Sequence, residues 1–152
     1  MRAVVQRVKS ASVAVDGEVR SRIGGGLLVF AGVGRDDTED DAAKLAHKIV
    51  HLRIMADVEG KMNLSVLDTK GSVLLISQFT LHADTRKGHR PSFMFAMAPE
   101  PAEALLAMLA KAIEGYGISV AAGVFGAMMD IDAVNDGPVT IILDTKDREK
   151  PK

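Results

Sequence analysis

Two polar stretches in this 152-residue chain carry side chains fit for chemistry. The first, Ser77-Gln78-Phe79-Thr80-Leu81, follows directly on the apolar run 73–76. Polar groups delivered to the end of a buried strand need hydrogen-bond partners or a purpose. A regular strand would place Gln78, Thr80 and His82 on one face, with Ser77 and Phe79 on the other. Thr80 could attack a carbonyl if His82, the one candidate base near it in sequence, took its proton. A satisfied turn explains the same residues. The second stretch is Asn135-Asp136-Gly137-Pro138-Val139-Thr140. It has strong turn chemistry. Gly137 has no side chain, so its carbonyl can be pushed into a pocket, and an X-Pro bond adopts cis at small cost. Taken alone, an ordinary turn accounts for it.

Other constellations are weaker. Arg86-Lys87-Gly88-His89-Arg90 concentrates positive charge in a loop, which suits contact with phosphate and sugar but is common in any solvated loop. His47 and His51 have the spacing of a zinc pair on a helix, but Lys48 stands where a zinc protease carries Glu, so no metal is assigned. The glycines at 24–26, 32 and 34 lack the Lys-Ser/Thr of a phosphate loop and do not complete a dinucleotide fingerprint. With no cysteine there is neither a thiol nucleophile nor a disulfide. No cofactor is called for.

These residues have to be positioned by a mixed set of elements. Residues 3–8 and 11–15 read as two strands, and Asp16-Gly17 as a hairpin turn. Residues 27–31 form a continuous apolar strand. A helix is predicted over 38–51, with Thr38 as N-cap, an acidic first turn and an apolar stripe of Ala42, Leu45, Ala46, Ile49 and Val50. A strand at 52–56 ends in a Glu59-Gly60 turn. Residues 73–81 read as a strand whose end turns polar, and 85–93 as a basic loop. A second helix begins near Pro99 and Pro101 and stops at Gly115 to Gly117. Strands are predicted at 118–122, 128–134 and 139–143, the last two joined by the Asn135–Pro138 turn. The result is a single α/β domain over 1–145, with both main helices on one side of the sheet, and a charged, frayed tail over 146–152.

Composition narrows the function classes. Nineteen basic and 20 acidic residues give a net charge of −1, which argues against a protein that coats nucleic acid but allows one that grips an RNA end locally. Five Phe, one Tyr and no Trp leave few platforms for base stacking. The longest apolar stretch, 23–33, is short and broken by glycines, and the N-terminus lacks an apolar signal core. A soluble cytoplasmic protein with no membrane partner is expected.

Together the two motifs are similar to the signatures of the D-aminoacyl-tRNA deacylase family. Similarity extends to Met1-Arg2-Ala3-Val4-Val5-Gln6-Arg7-Val8, to Gly60-Lys61-Met62-Asn63, to Lys87-Gly88 with Arg90-Pro91-Ser92-Phe93, and to Gly123-Val124-Phe125-Gly126-Ala127-Met128-Met129. Ala133 and His89 depart from the residues more usual at those positions. The resemblance implies a three-layer α/β/β fold with barrel-like mixed sheets and a homodimer with two active sites at its interface. It implies hydrolysis of the ester joining a D-amino acid, or glycine, to the 3′ end of tRNA, a step of chiral proofreading in translation. Catalysis would centre on Ser77, Gln78, Phe79 and Thr80. A cis Gly137-Pro138 from the other subunit would hold the substrate ammonium and exclude L-residues by collision with main chain. Met129 and Asn135 would line the substrate site, and Arg7 and Lys87 would touch the acceptor stem. Two other readings stay open: a nucleic-acid-binding dimer without catalysis, and a related deacylase of shifted chirality.

Overall fold

A computed structural model describes residues 1–147. Along the described chain run β1 (Arg2–Val15), β2 (Glu18–Ile23), β3 (Gly26–Gly32), α1 (Glu39–His51), β4 (Met55–Ala56), β5 (Met62–Leu64), α2 (Val66–Thr69), β6 (Ser72–Ser77), a 3-10 turn (Phe79–His82), α3 (Pro99–Glu114), β7 (Val120–Ala122) and β8 (Asp130–Asp144).

The two segments predicted at 3–8 and 11–15 are one strand. β1 pairs with β3 along residues 2–8 and with β2 along 11–15, so one of its edges serves two neighbours in turn. Its other edge is taken by β8. The strands predicted at 128–134 and 139–143 likewise merge into β8, and the motif between them reverses nothing. It is looped out of a continuing strand. Between the Gln6–Thr140 and Val8–Asn135 pairs, β1 advances two residues and β8 advances five. Asp16 and Gly17 make the tight β1–β2 turn, both at positive φ as a primed hairpin turn requires.

β3, β6 and β7 are parallel and follow the order β1-β3-β6-β7. Two buried clusters lie on opposite faces of this layer. On one face Val5, Leu27, Val29, Val73 and Leu75 pack against Leu45, Ile49, Leu109 and Ile113 of α1 and α3. On the other, Leu28, Leu74 and Ile76 meet Val8, Ala11, Val13 and Ile23 from the folded-over half of β1 and β2. Alternate residues of β3 and β6 therefore feed two cores, which is why those strands read as unbroken apolar runs. The Ser21 hydroxyl donates to the Ala122 carbonyl, which draws β2 towards β7 and nearly closes the sheet. The architecture is the expected α/β/β arrangement with both long helices on one side.

Two further boundaries differ from expectation. Of the strand predicted at 52–56 only Met55–Ala56 pairs, with β5. β6 stops at Ser77 instead of Leu81 because the chain turns into the 3-10 segment. Thr38 caps α1 as predicted, in a capping box with Asp41. In the tail, Lys146 is tied down: its Nζ lies 2.9 Å from Asp41 and 3.5 Å from Asp37. Positions 148–152 of the predicted frayed tail lie outside the described residues.

Candidate active site

β6 brings Ser77 to the open end of the layer. Gln78 extends the pairing by one bond, its N–H donating to the Ala31 carbonyl at 2.8 Å. The next bonds are turn bonds, from Leu81 N–H to Gln78 O and from Ala83 N–H to Thr80 O. A turn of this kind leaves its first N–H groups without partners inside the turn, here those of Phe79 and Thr80. The strand alternation expected for 78–82 is lost, and Phe79 and Thr80 are both exposed.

Gln78 Nε2 donates to Thr80 Oγ1 in a short hydrogen bond. His82 does not serve Thr80. Its Nε2 lies 3.1 Å from the Gly32 carbonyl, and its ring packs over the end of β3. Glycine is required there: a Cβ at Gly32 would stand 2.6 Å from the Gln78 carbonyl, and one at Gly34 would stand 3.0 Å from the His82 ring. The base expected for a nucleophilic threonine is thus turned to a structural bond.

Ser77, Gln78, Phe79 and Thr80 together form one wall of a cavity of about 700 Å³. Phe125, Met128 and Met129 form a second wall, and Phe93 and Met97 a third. Phe79 and Phe93 meet edge to face, with ring centroids 5.0 Å apart. A largely apolar cavity with polar groups at one end holds and orients a small ligand. Phe79 is 57% exposed and Met128 92%, so this apolar surface is open to whatever enters. Met129 also reaches the buried cluster around Ile76, and a Cβ at Gly123 would stand 2.7 Å from its sulfur. Met129 therefore both lines the cavity and packs against the core.

The second motif stands apart from this cavity, and neither Gly137 nor Pro138 lines it. The Gly137-Pro138 bond is cis, and both residues are exposed. Two side chains hold the loop. Arg7 donates to the carbonyls of Asp136 at 2.9 Å and Ile54 at 2.8 Å. Asn135 Oδ1 accepts from Val139 N–H at 2.9 Å, closing the loop at its base. Gly137 sits at φ +148, and a Cβ there would lie 2.7 Å from Val139. Lys87 is exposed in the basic loop, whose ends are joined by paired hydrogen bonds between Asp84 and Ser92.

The D-Tyr-tRNA(Tyr) deacylase family model matches residues 4–144, a span that contains both motifs and every strand from β2 to β8. The chain belongs to that family. It is 54% identical to the D-aminoacyl-tRNA deacylase of Chloroflexus aurantiacus over 152 residues, covering all of this chain and 95% of that one. The Bacillus pumilus D-aminoacyl-tRNA deacylase is 55% identical over 147 residues, 97% of this chain and 100% of the other. A solved structure titled c-Myc DNA Unwinding Element Binding Protein superposes with a TM-score of 0.91 at 39% identity, covering 97% of this chain and all of that one. A probable eukaryotic D-amino acid tRNA deacylase, 17% identical with a TM-score of 0.79, shares the fold.

Several cavity residues of this deacylase-family chain escaped sequence reasoning, among them Phe30, Phe125 and Met97. A usable signal existed for one of them. Phe125 sits between Gly123 and Gly126 in a run with no helical or strand periodicity, which is unusual for an apolar side chain that is to be buried.

Proposed function

We propose that the protein hydrolyses the ester bond between a D-amino acid, or glycine, and the 3′ end of tRNA, and that it spares L-aminoacyl-tRNA. The observation that carries this reading is the 3-10 turn at the end of β6, where the amides of Phe79 and Thr80 lack partners within the turn beside an open cavity. An aminoacyl ester is already activated, so positioning and oxyanion stabilisation suffice. Backbone N–H groups of Phe79 and Thr80 bind the developing oxyanion while water, or the neighbouring ribose hydroxyl as its helper, completes the attack. The acyl–oxygen bond breaks, the amino acid takes the hydroxyl of water and the ribose oxygen takes the proton. Engagement of His82 with Gly32 supports this route over attack by Thr80.

Chirality is read by exclusion in a homodimer. Gly137 and Pro138 of a second copy cover the cavity, hold the substrate ammonium with their carbonyls and leave no room for an L side chain. Support comes from the exposure of both residues and from the bracing by Arg7 and Asn135, which suits these two side chains to positioning the loop. Ile142, 77% exposed, and Val134, 52% exposed, give β8 an apolar outer surface that a second copy would cover. Lys87 and its loop face the acceptor stem. Among the described residues no helix is long and apolar enough to cross a membrane. An aminoacyl-tRNA substrate implies work in the cytoplasm.

Purified protein is expected to deacylate D-tyrosyl-tRNA and glycyl-tRNA while leaving L-tyrosyl-tRNA intact. Equal rates on the D and L esters would overturn the exclusion mechanism, and faster cleavage of the L ester would favour a deacylase of shifted chirality. The 39% identical structure titled as a DNA-unwinding-element-binding protein favours a second reading, a nucleic-acid-binding dimer without catalysis. Absence of turnover on every aminoacyl-tRNA, with tight nucleic-acid binding retained, would select it.

A further inference from the structure

One guanidinium near the cavity, that of Arg35, has no role in the chemistry above. Beyond β3, Val33 lines the cavity, Gly34 bridges to Ala96, and Arg35 N–H donates to the Phe95 carbonyl at 2.9 Å. Met97 N–H donates back to Val33 at 3.0 Å. Residues 33–35 and 95–97 thus form a short two-stranded clamp whose Val33, Ala96 and Met97 belong to the cavity. Arg35 and Phe95 lie at its far end.

Two guanidiniums approach the Phe95 ring, Arg35 at 5.1 Å and Arg86 at 5.9 Å from its centroid. Their charges are differently occupied. Arg86 bonds Asp84 twice, at 2.8 Å each, and these bonds hold the Asp84 carboxyl down to about 2, so the pair stays ionised and largely cancels. Among the described residues Arg35 has one acidic neighbour, Asp36, at 4.0 Å, and that side chain is 89% exposed. Such a contact is screened by water and neutralises little. The adjacent Asp37 is taken up by the α-amino group of Met1 and by Gly34 N–H. Among the described residues Arg35 is therefore a half-exposed, little-neutralised guanidinium, steadied on an aromatic face and two residues along the chain from Val33 in the lining of a mostly apolar cavity.

We propose that Arg35, steadied on Phe95, is a positioning residue that grips a backbone phosphate of the RNA strand leading into the cavity. The inference rests on the deacylase reading for the identity of the strand and extends it to how the strand is held. A planar guanidinium fork matches two phosphate oxygens, and prior stacking lowers the freedom lost on binding. With a net charge of −1 the chain offers no general attraction to a polyanion, so the grip has to be local. The cavity accepts the aminoacylated terminal nucleoside, and the preceding phosphate falls at its rim.

The test uses the full chain and the exposed-site variant Arg35→Ala, with Arg35→Lys and Phe95→Leu beside it. The first readout is binding of an uncharged acceptor-stem hairpin ending in CCA over a range of salt. Loss of one phosphate contact lowers the slope of log affinity against log salt by about 0.7–0.9 and weakens binding roughly three- to tenfold at low salt. Arg35→Lys keeps the slope and loses part of the affinity, because a point charge replaces the fork, and Phe95→Leu loses less than Arg35→Ala. The second readout is turnover. KM for D-tyrosyl-tRNA rises while kcat stays within about twofold, and hydrolysis of D-tyrosyl-adenosine, which carries no strand phosphate, is unchanged. An unaltered salt slope and KM in Arg35→Ala overturns the proposal and leaves the deacylase reading intact. An Arg35-dependent slope in a protein that cleaves neither ester upholds the phosphate grip and sinks the deacylase reading.

Discussion

Thr80 is the residue on which the two hydrolytic routes differ. Its hydroxyl oxygen accepts from Gln78, and the imidazole two residues on is committed to Gly32. Loss of a neutral hydrogen-bonding hydroxyl costs about 1 kcal/mol, or roughly fivefold in rate. Loss of a covalent nucleophile would cost on the order of 10⁴-fold or more. Thr80→Ala is accordingly expected to lower kcat/KM for D-tyrosyl-tRNA about fivefold, and single-turnover assays would expose the larger deficit if Thr80 formed an acyl-enzyme. Gly137 gives a sharper result because its Cβ has nowhere to go at φ +148. Gly137→Ala should cost about 1–3 kcal/mol in urea unfolding and should erode discrimination between D and L esters. The composition of both motifs was legible in the sequence, since hydroxyls after a buried strand and Asn-Asp-Gly-Pro are unusual in themselves. The direction of Thr80 and His82 was not, because alternation along a strand presumes that the strand continues, and here the chain coils after Ser77.

At the scale of elements, the periodic ones were readable and the long strands were not. α1 announced itself by Thr38, Asp41 and an apolar stripe. β1 looked like two strands because Lys9 and Ser10 interrupt its pattern, and both are exposed where the strand passes from β3 to β2. β8 looked like a hairpin because turn residues normally end strands, whereas the ladder on β1 shifts register at the loop and continues on either side of it. Arg7 ties that loop to the segment between α1 and β4 by donating to the carbonyls of Asp136 and Ile54 at once. Arg7→Ala leaves two carbonyls without their donor, so a loss of about 1–3 kcal/mol is expected in urea denaturation. If Arg7 positions the loop, the ratio of D to L hydrolysis falls in the same variant by more than tRNA affinity does. A larger fall in affinity would restore its expected role at the acceptor stem.

Across the whole molecule, Met1 meets Thr145 and Lys146 over the start of α1. The α-amino group of Met1 lies 2.9 Å from Asp37 and donates to Thr145, which donates to Asp41. Burial pushes the Asp41 carboxyl up, but the Thr145 hydroxyl, the Lys146 ammonium and Thr38 N–H outweigh it, so the group sits well below the usual carboxylate range. Asp144, held down by Lys146 N–H and Arg2 against its burial, acts in the same direction. A carboxyl depressed in the folded state adds stability that is complete above its unfolded value near 4 and drains away as acid protonates it. The thermal midpoint should therefore drop steeply below about pH 4, and Asp41→Asn should flatten that drop. None of this was visible in a linear reading, which treated Lys146 as part of a loose tail. The outstretched segment around Gly137 shows a related economy. Arg7 and Asn135 brace it from within its own chain. Any surface that receives it meets a finished die, and encounter then depends on collision and orientation, with no refolding step to wait for.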